Sequence, residues 1–285
     1  MTLPLCLPRW LLPRLRIWVV ALGCVLILRS LGLEAAEPVP LPRAHAHNDY
    51  LHTRPFFDAV EQGFGSVEAD IWLVDGALLV AHDLPRTSPE RTLKKLYLEP
   101  LHARFKANHG AIHPGMKGFM LLIDIKADPD RVWPVLKSAL EEYRELFTRF
   151  TDTQTVTGAV TVVLSGARPI AQVQAEKERL CGIDGRLADL ETNPSPHLYP
   201  LVSESWRPTF GGFEDEKLSD TDTTKLQQLV AKAHGQGRRI RFWGVPDQLY
   251  AWRALDTAGV DFLNTDKLQA LAEYLRNQPG GAPSQ

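Results

Sequence analysis

The chain has 285 residues, is 44% hydrophobic and 23% charged, and carries a formal net charge of −2. That composition is ordinary for a globular protein and excludes a collagen-like or low-complexity chain. Residues 1–36 hold four arginines and one acid, leaving 28 basic and 33 acidic side chains beyond them, so no basic surface suited to nucleic acid is implied.

The chain opens with Arg9, Arg14 and Arg16, runs without charge over residues 17–28, and reaches small residues at Ala35 and Ala36. Basic, then apolar, then small is the order of a secretory signal. The apolar run is shorter than the roughly 20 residues of a membrane span. The expectation is export to the periplasm or the outside, or a membrane anchor where the leader is kept. Cys6 and Cys24 fall within this leader, so Cys181 alone remains beyond it. An intramolecular disulfide or a multi-thiolate metal site is then impossible in the mature part. The organisation expected is a leader over 1–36, one barrel over 37–277 and a disordered tail over 278–285.

Past residue 37, short apolar runs alternate with helix-like segments. The apolar runs predict strands at 43–47, 66–73, 119–125, 159–164, 181–183, 198–203, 239–243 and 260–263. Between them, helices are predicted over 55–62, 91–108, 129–147, 169–178, 222–234, 246–257 and 267–276. Asp75-Gly76 is a tight-turn signal, so 77–81 is expected to fold back as a hairpin strand. Alternation of strand and helix argues for a parallel sheet, and eight strands for an α/β fold of the (β/α)8 TIM-barrel type. No glycine-rich loop follows the first strand, which disfavours a doubly wound sheet. In a barrel the chemistry sits at the C-terminal ends of the strands.

Those ends carry the reactive residues. Glu68 and Asp70 are two apart on one strand and share a face. Two carboxylates held so close repel unless a cation lies between them, and a hard divalent metal with oxygen ligands is the simplest resolution. Asp124, at the next strand end, is a third ligand on the same logic. Lys126, two residues on, is placed to neutralise a phosphate oxygen. His47 and His82 flank the pair and can accept and donate protons near neutral pH. Asp83 can orient His82. His45-x-His47 also opens a second reading, a metal-dependent amidohydrolase, but the expected fourth strand has no lysine and the fifth no histidine. A non-catalytic binding protein on a barrel is a third. Trp243 ends an apolar strand and suits a pocket wall. His52, His102, His109 and His113 lack partner spacing and read as surface residues.

Together these segments resemble the phospholipase C-like phosphodiesterase superfamily. It comprises glycerophosphodiester phosphodiesterases, phosphatidylinositol-specific phospholipases C and sphingomyelinase D toxins. The resemblance is greatest to its altered inheritance of mitochondria protein 6 branch. Ala46-His47-Asn48-Asp49-Tyr50-Leu51 resembles the first catalytic segment of the eukaryotic-type phospholipases, where the histidine is catalytic and the asparagine binds calcium. Glu68-Ala69-Asp70 is similar to the metal pair, and His82 stands where the second catalytic histidine belongs. Asp124-Ile125-Lys126 is similar to the Asp-x-Lys of the sphingomyelinase D branch or the Glu-x-Lys of the glycerophosphodiesterases, and Trp243 falls where the sphingomyelinase D branch carries a pocket tryptophan. Residues 259–266 resemble the last strand and turn.

The resemblance implies a (β/α)8 barrel, one divalent cation, Ca2+ or Mg2+, and cleavage of a phosphodiester by two histidines. Metal ligands would be Glu68, Asp70, Asp124 and Asn48, with Lys126 and Trp243 on the substrate. His45 is the alternative first histidine. The partner expected is a phosphodiester small molecule, or a lipid head group presented at a membrane surface: a glycerophosphodiester, a phosphoinositide or a lysolipid. Glycerophosphodiesterases place arginine after the first histidine and carry a Glu-Asn-Thr segment. Here Asn48 follows His47 and that segment is absent, which weakens the glycerophosphodiester reading.

Overall fold

Parallel strands buried on both faces read as continuous apolar runs. Phe119–Ile125 is such a run, with only Asp124 partly exposed. The computed structural model describes residues 37–278; the leader and the last seven residues, with Cys6, Cys24 and nearly all of the tail, lie outside them. The strands are β1 (Leu41–Ala46), β2 (Phe64–Val74), β3 (Ala77–Val80), β4 (Phe119–Ile125), the small pair β5 (Arg149–Phe150) and β6 (Thr155–Val156), β7 (Val160–Gly166), β8 (Cys181–Gly185), β9 (Leu201–Ser205), β10 (Arg239–Trp243) and β11 (Leu263–Thr265). Eight of them run side by side and parallel in the order β10-β9-β8-β7-β4-β2-β1-β11. The ring closes between β10 and β11 by one bridge, Arg241 to Phe262, and by Asp261 N donating to Ile240 O at 3.1 Å. This is a nearly closed (β/α)8 barrel, as the alternation predicts. The hairpin expected after Asp75-Gly76 is β3, antiparallel to β2.

The outer helices are α1 (Phe57–Glu61), α2 (Glu99–Ala107), α3 (Pro129–Glu141), α4 (Ile170–Gln174), α5 (Asp189–Thr192), α6 (Trp206–Thr209), α7 (Asp220–Gly235), α8 (Leu249–Thr257) and α9 (Leu268–Arg276). In α9, Leu268, Leu271, Ala272 and Leu275 are buried, the spacing of one helix face turned to the barrel. Ser219 caps α7, its Oγ accepting from Asp222 N at 3.0 Å. Within the described residues no helix is long and apolar enough to cross a membrane.

Several boundaries differ from expectation for local reasons. The helix expected from 91 starts in regular form only at Glu99, after a wider turn over Lys94–Leu98. Pro100 has no N–H to give the preceding turn. The strand expected from 198 starts at Leu201 because Pro200 has no N–H to donate to the ladder, although its carbonyl accepts from Arg239 N at 3.0 Å. The last strand shifts from 260–263 to Leu263–Thr265. There Asp261 Oδ2 accepts from Ile240 N at 2.8 Å, so a side chain replaces the ladder bond. His113, expected at the surface, is fully buried and bonds Phe64 O at 2.8 Å.

Inside the ring, Met120, Leu122, Val163, Leu201 and Phe262 form a small apolar plug. Because side chains alternate along a strand, the next inward positions toward the C-terminal ends sit above it. Those positions are polar.

Candidate active site

Register places the acids. Asp70 on β2 lies directly beside Asp124 on β4, and Glu68 is one inward step deeper. One ligand oxygen from each of Glu68, Asp70 and Asp124 falls within 4.8 Å of the others. Lys126 Nζ lies 2.6 Å from Asp70 Oδ2 and 3.4 Å from Asp124 Oδ1. The expected cluster of three carboxylates and one lysine therefore does assemble. With His47, His82, Ser165, Arg186, Arg241 and Trp243 it lines a cavity of about 490 Å3 at the C-terminal mouth of the barrel.

Burial sets the charges. It pushes the Asp70 carboxyl up to about 6, with repulsion from Glu68 adding and the bonds from Lys126 and Tyr50 opposing. Burial likewise raises Asp124. Glu68 goes the other way: burial would raise it, but the Arg241 guanidinium and the two neighbouring imidazoles hold it well below the usual carboxylate range. Glu68 Oε2 is buried without a hydrogen bond. Around it stand Arg241 Nη1 at 3.7 Å, His45 Nε2 at 3.7 Å and His47 Nε2 at 3.8 Å. An ionised, shielded carboxylate with a free oxygen beside two more carboxylates fits a hard divalent cation.

His45 on β1 and His47 just past its end have different fates. His45 is fully buried; its Nδ1 is 2.6 Å from Ser66 Oγ and its Nε2 accepts from Arg241 Nη1 at 2.8 Å. Arg241 is always a donor, so the proton of His45 sits on Nδ1. Burial, with Arg241 adding, lowers its pKa to about 4. It is a neutral structural imidazole with both nitrogens engaged, and the amidohydrolase ligand set does not form: the acidic cluster contains no histidine. His47 is partly open, with Nδ1 2.9 Å from Asp266 Oδ1. Burial would lower its pKa, but Asp266 and Glu68 outweigh that and raise it.

Asn48 sits in the left-handed region at φ 49°, which asparagine tolerates. Its amide touches His47 Nδ1 at 2.8 Å and Tyr50 Oη at 2.7 Å, and Tyr50 Oη also reaches Asp70 Oδ2 at 2.7 Å. One phenolic proton cannot serve both Asn48 and Asp70, and His47 Nδ1 cannot both donate to Asp266 and accept from Asn48. Turning the amide, oxygen toward His47 and nitrogen toward Tyr50, frees the phenolic proton for Asp70, but one Nδ1 proton is then shared between Asp266 and Asn48 and the Asn48 Nδ2 donation to Asp266 Oδ1 at 3.4 Å is lost. Asn48 thus links the histidine to the carboxylate cluster through Tyr50.

His82 follows β3, is 57% exposed, and has Nδ1 2.9 Å from Asp83 Oδ1. Trp243, 40% exposed, ends β10 at the rim. Two residues carry roles that motif reading did not supply. Asp266 was legible only as part of the last turn, and its partnership with His47 depends on β11 lying beside β1. Arg241 hides in an apolar-looking strand; it is 3% exposed, with Nε donating to Ser203 Oγ at 3.2 Å. Its Nη2 makes no hydrogen bond among the described residues and is not closed off from the cavity. An arginine at an inward position near the ends of barrel strands was the available signal.

Comparison with known proteins adds the family. A model described as AIM6-like phosphodiesterase domain matches residues 35–181. The altered inheritance of mitochondria protein 6 homolog of Arthroderma benhamiae is 30% identical over 266 residues, covering 83% of this chain and 84% of that protein. Its namesake in Eremothecium gossypii is 28% identical over 274 residues, covering 82% and 69%. The glycerophosphodiester phosphodiesterase from Agrobacterium tumefaciens aligns with a TM-score of 0.48 at 15% identity, covering 82% of this chain and 99% of that one.

Proposed function

Because the chain belongs to the AIM6-like phosphodiesterase family, we propose that the barrel-mouth site hydrolyses phosphodiesters with one divalent cation and two histidines. The observation that carries this reading is the trio of Glu68, Asp70 and Asp124, two of them buried, with a hydrogen-bond-free oxygen on Glu68, in one cavity with His47 and His82. The trio would hold Ca2+ or Mg2+, which when bound supplies positive charge to the phosphate oxygens.

The chain's own residues do the rest. Lys126 and the open Nη2 of Arg241 donate to the phosphate from two sides of the cavity. Asp266 on Nδ1 leaves His47 Nε2 as the basic atom, which takes the proton of the attacking hydroxyl or water. As the new P–O bond forms, the bond to the departing oxygen breaks. His82, oriented by Asp83, gives that oxygen its proton. Where the attacker is a hydroxyl of the substrate itself, a cyclic phosphate forms and water then opens it. Trp243 walls the substrate, which is a small phosphodiester or a lipid head group. The order of residues 1–36 supports export, to be checked by sequencing the N-terminus of the mature protein.

Hydrolysis of bis-(p-nitrophenyl) phosphate with Ca2+, with Mg2+ and with chelator tests this. His47→Ala and Glu68→Gln should each lower kcat by about a hundredfold or more. His82→Ala should lose less on this activated leaving group than on an alkyl one. Full turnover in chelator, or in His47→Ala, would overturn the mechanism.

A further inference from the structure

A second cavity, of about 350 Å3, opens beside the first and includes Tyr50, Leu51, Val80, Arg86 and Arg91 in its walls. The two share one side chain, His82. His82 is therefore a boundary: the acidic cluster lies on one side and a differently built space on the other.

That space is basic and apolar. Arg86 and Arg91 face a single carboxylate, Asp83, in a chain whose net charge is −2. Asp83 is already engaged, with Oδ1 2.9 Å from His82 Nδ1 and Oδ2 3.7 Å from Arg86 Nε. Arg91 is held in place. Its carbonyl accepts from Val80 N at 2.8 Å, so its segment runs along the outer edge of β3, and its Nη2 donates to Tyr50 O. Arg86 is 75% exposed, with its guanidinium paired to Asp83 through Nε alone among the described residues. Leu51, 65% exposed, and the buried Val80 form an apolar wall. One fixed guanidinium, one exposed guanidinium and an apolar wall suit a small ligand that ends in an oxyanion.

We propose that this second cavity receives the departing half of the substrate, and that this half carries its own oxyanion, a phosphate or a carboxylate. The assignment rests on the phosphodiesterase reading, with His82 protonating the oxygen that leaves into this space. It narrows the substrate class from any phosphodiester to one whose leaving alcohol is itself anionic.

Isothermal titration of the whole protein with glycerol 3-phosphate, glycerate and glycerol tests the site without turnover. The two anions should bind and glycerol should not; the stronger of the two names the natural oxyanion. Arg86→Glu should weaken the anions by at least about tenfold, and Arg86→Lys should restore most of the loss. Anion binding that Arg86→Glu leaves unaltered, or no anion binding, overturns the subsite. Kinetics give the second arm. The KM ratio between a diester with a glycerol leaving group and one with a glycerol phosphate leaving group should shift by at least about tenfold in Arg86→Glu. An unshifted ratio refutes the proposal. A protein that binds the anions through Arg86 yet hydrolyses neither diester keeps the subsite and loses the phosphodiesterase reading.

Discussion

At the scale of single residues, the site separates groups of one type by their surroundings. His45 on β1 and His47, one residue past its end, stand two positions apart, yet one is sealed between Ser66 and Arg241 and the other opens to the cavity. His47→Gln should therefore cut kcat by about a hundredfold or more with the melting temperature nearly unchanged. His45→Gln should do the opposite, destabilising by about 1–3 kcal/mol through the unpaired Arg241 while keeping most activity. Finding the two phenotypes exchanged would assign the base to His45. Asp49, next to this pair, gives a pH prediction. Burial pushes its carboxyl up to about 7, against the bonds from Phe56 N and Tyr97 Oη. The folded value exceeds the unfolded one, so its stabilising share is whole below about 3.8 and is lost as pH rises through about 7. Between pH 5 and 7 the wild type should lose about 1.4 kcal/mol per pH unit from this group. Urea unfolding should show Asp49→Asn lacking that slope; parallel curves for the two proteins would dispose of the idea.

At the scale of elements, strand ends place the chemistry, and glycine makes room for it. Gly166, closing β7 at φ 65°, faces Asp124: an added Cβ would lie 2.3 Å from Asp124 Oδ1 and 2.5 Å from Ile125 O. Gly166→Ala should destabilise by about 1–3 kcal/mol and weaken metal binding. Unchanged affinity by calorimetry would mean that Asp124 is not held by this contact. Legibility also divides by element. Glu68, Asp70, Asp124 and Lys126 could be read because two-residue spacing on a strand fixes a shared face. Asp266 and Arg241 could not be given roles, since their partners lie 219 and 196 positions away in sequence and meet them only through sheet order. The small pair β5 and β6 also escaped. It is four residues held by buried Arg179, which bonds Asp152 and Thr151 O, and carries no periodic signal.

At the scale of the molecule, an apolar plug carries a polar layer, and that layer is where binding energy enters the fold. A cation that binds only the folded barrel stabilises it by mass action, by about 2.7 kcal/mol at a hundredfold excess over its Kd. In a domain of this size that amounts to roughly 5–10 °C. Thermal unfolding with Ca2+ or Mg2+ should show the rise, and Glu68→Gln should lack it. A wild type indifferent to both ions would contradict the metal reading. The barrel ring was legible as a whole because eight apolar runs alternate with helices, although three of its edges moved by a few residues where proline or Asp261 intervened.

The pairing of β1 with β11 has a consequence for synthesis. Both histidines and all three acids are translated before Asp266, the partner of His47, which lies 219 residues beyond that histidine. A ribosome-bound chain that has not yet released β11 holds every carboxylate of the cluster but not the side chain that orients His47. On the proposed mechanism, full hydrolytic capacity is withheld until the chain is nearly finished.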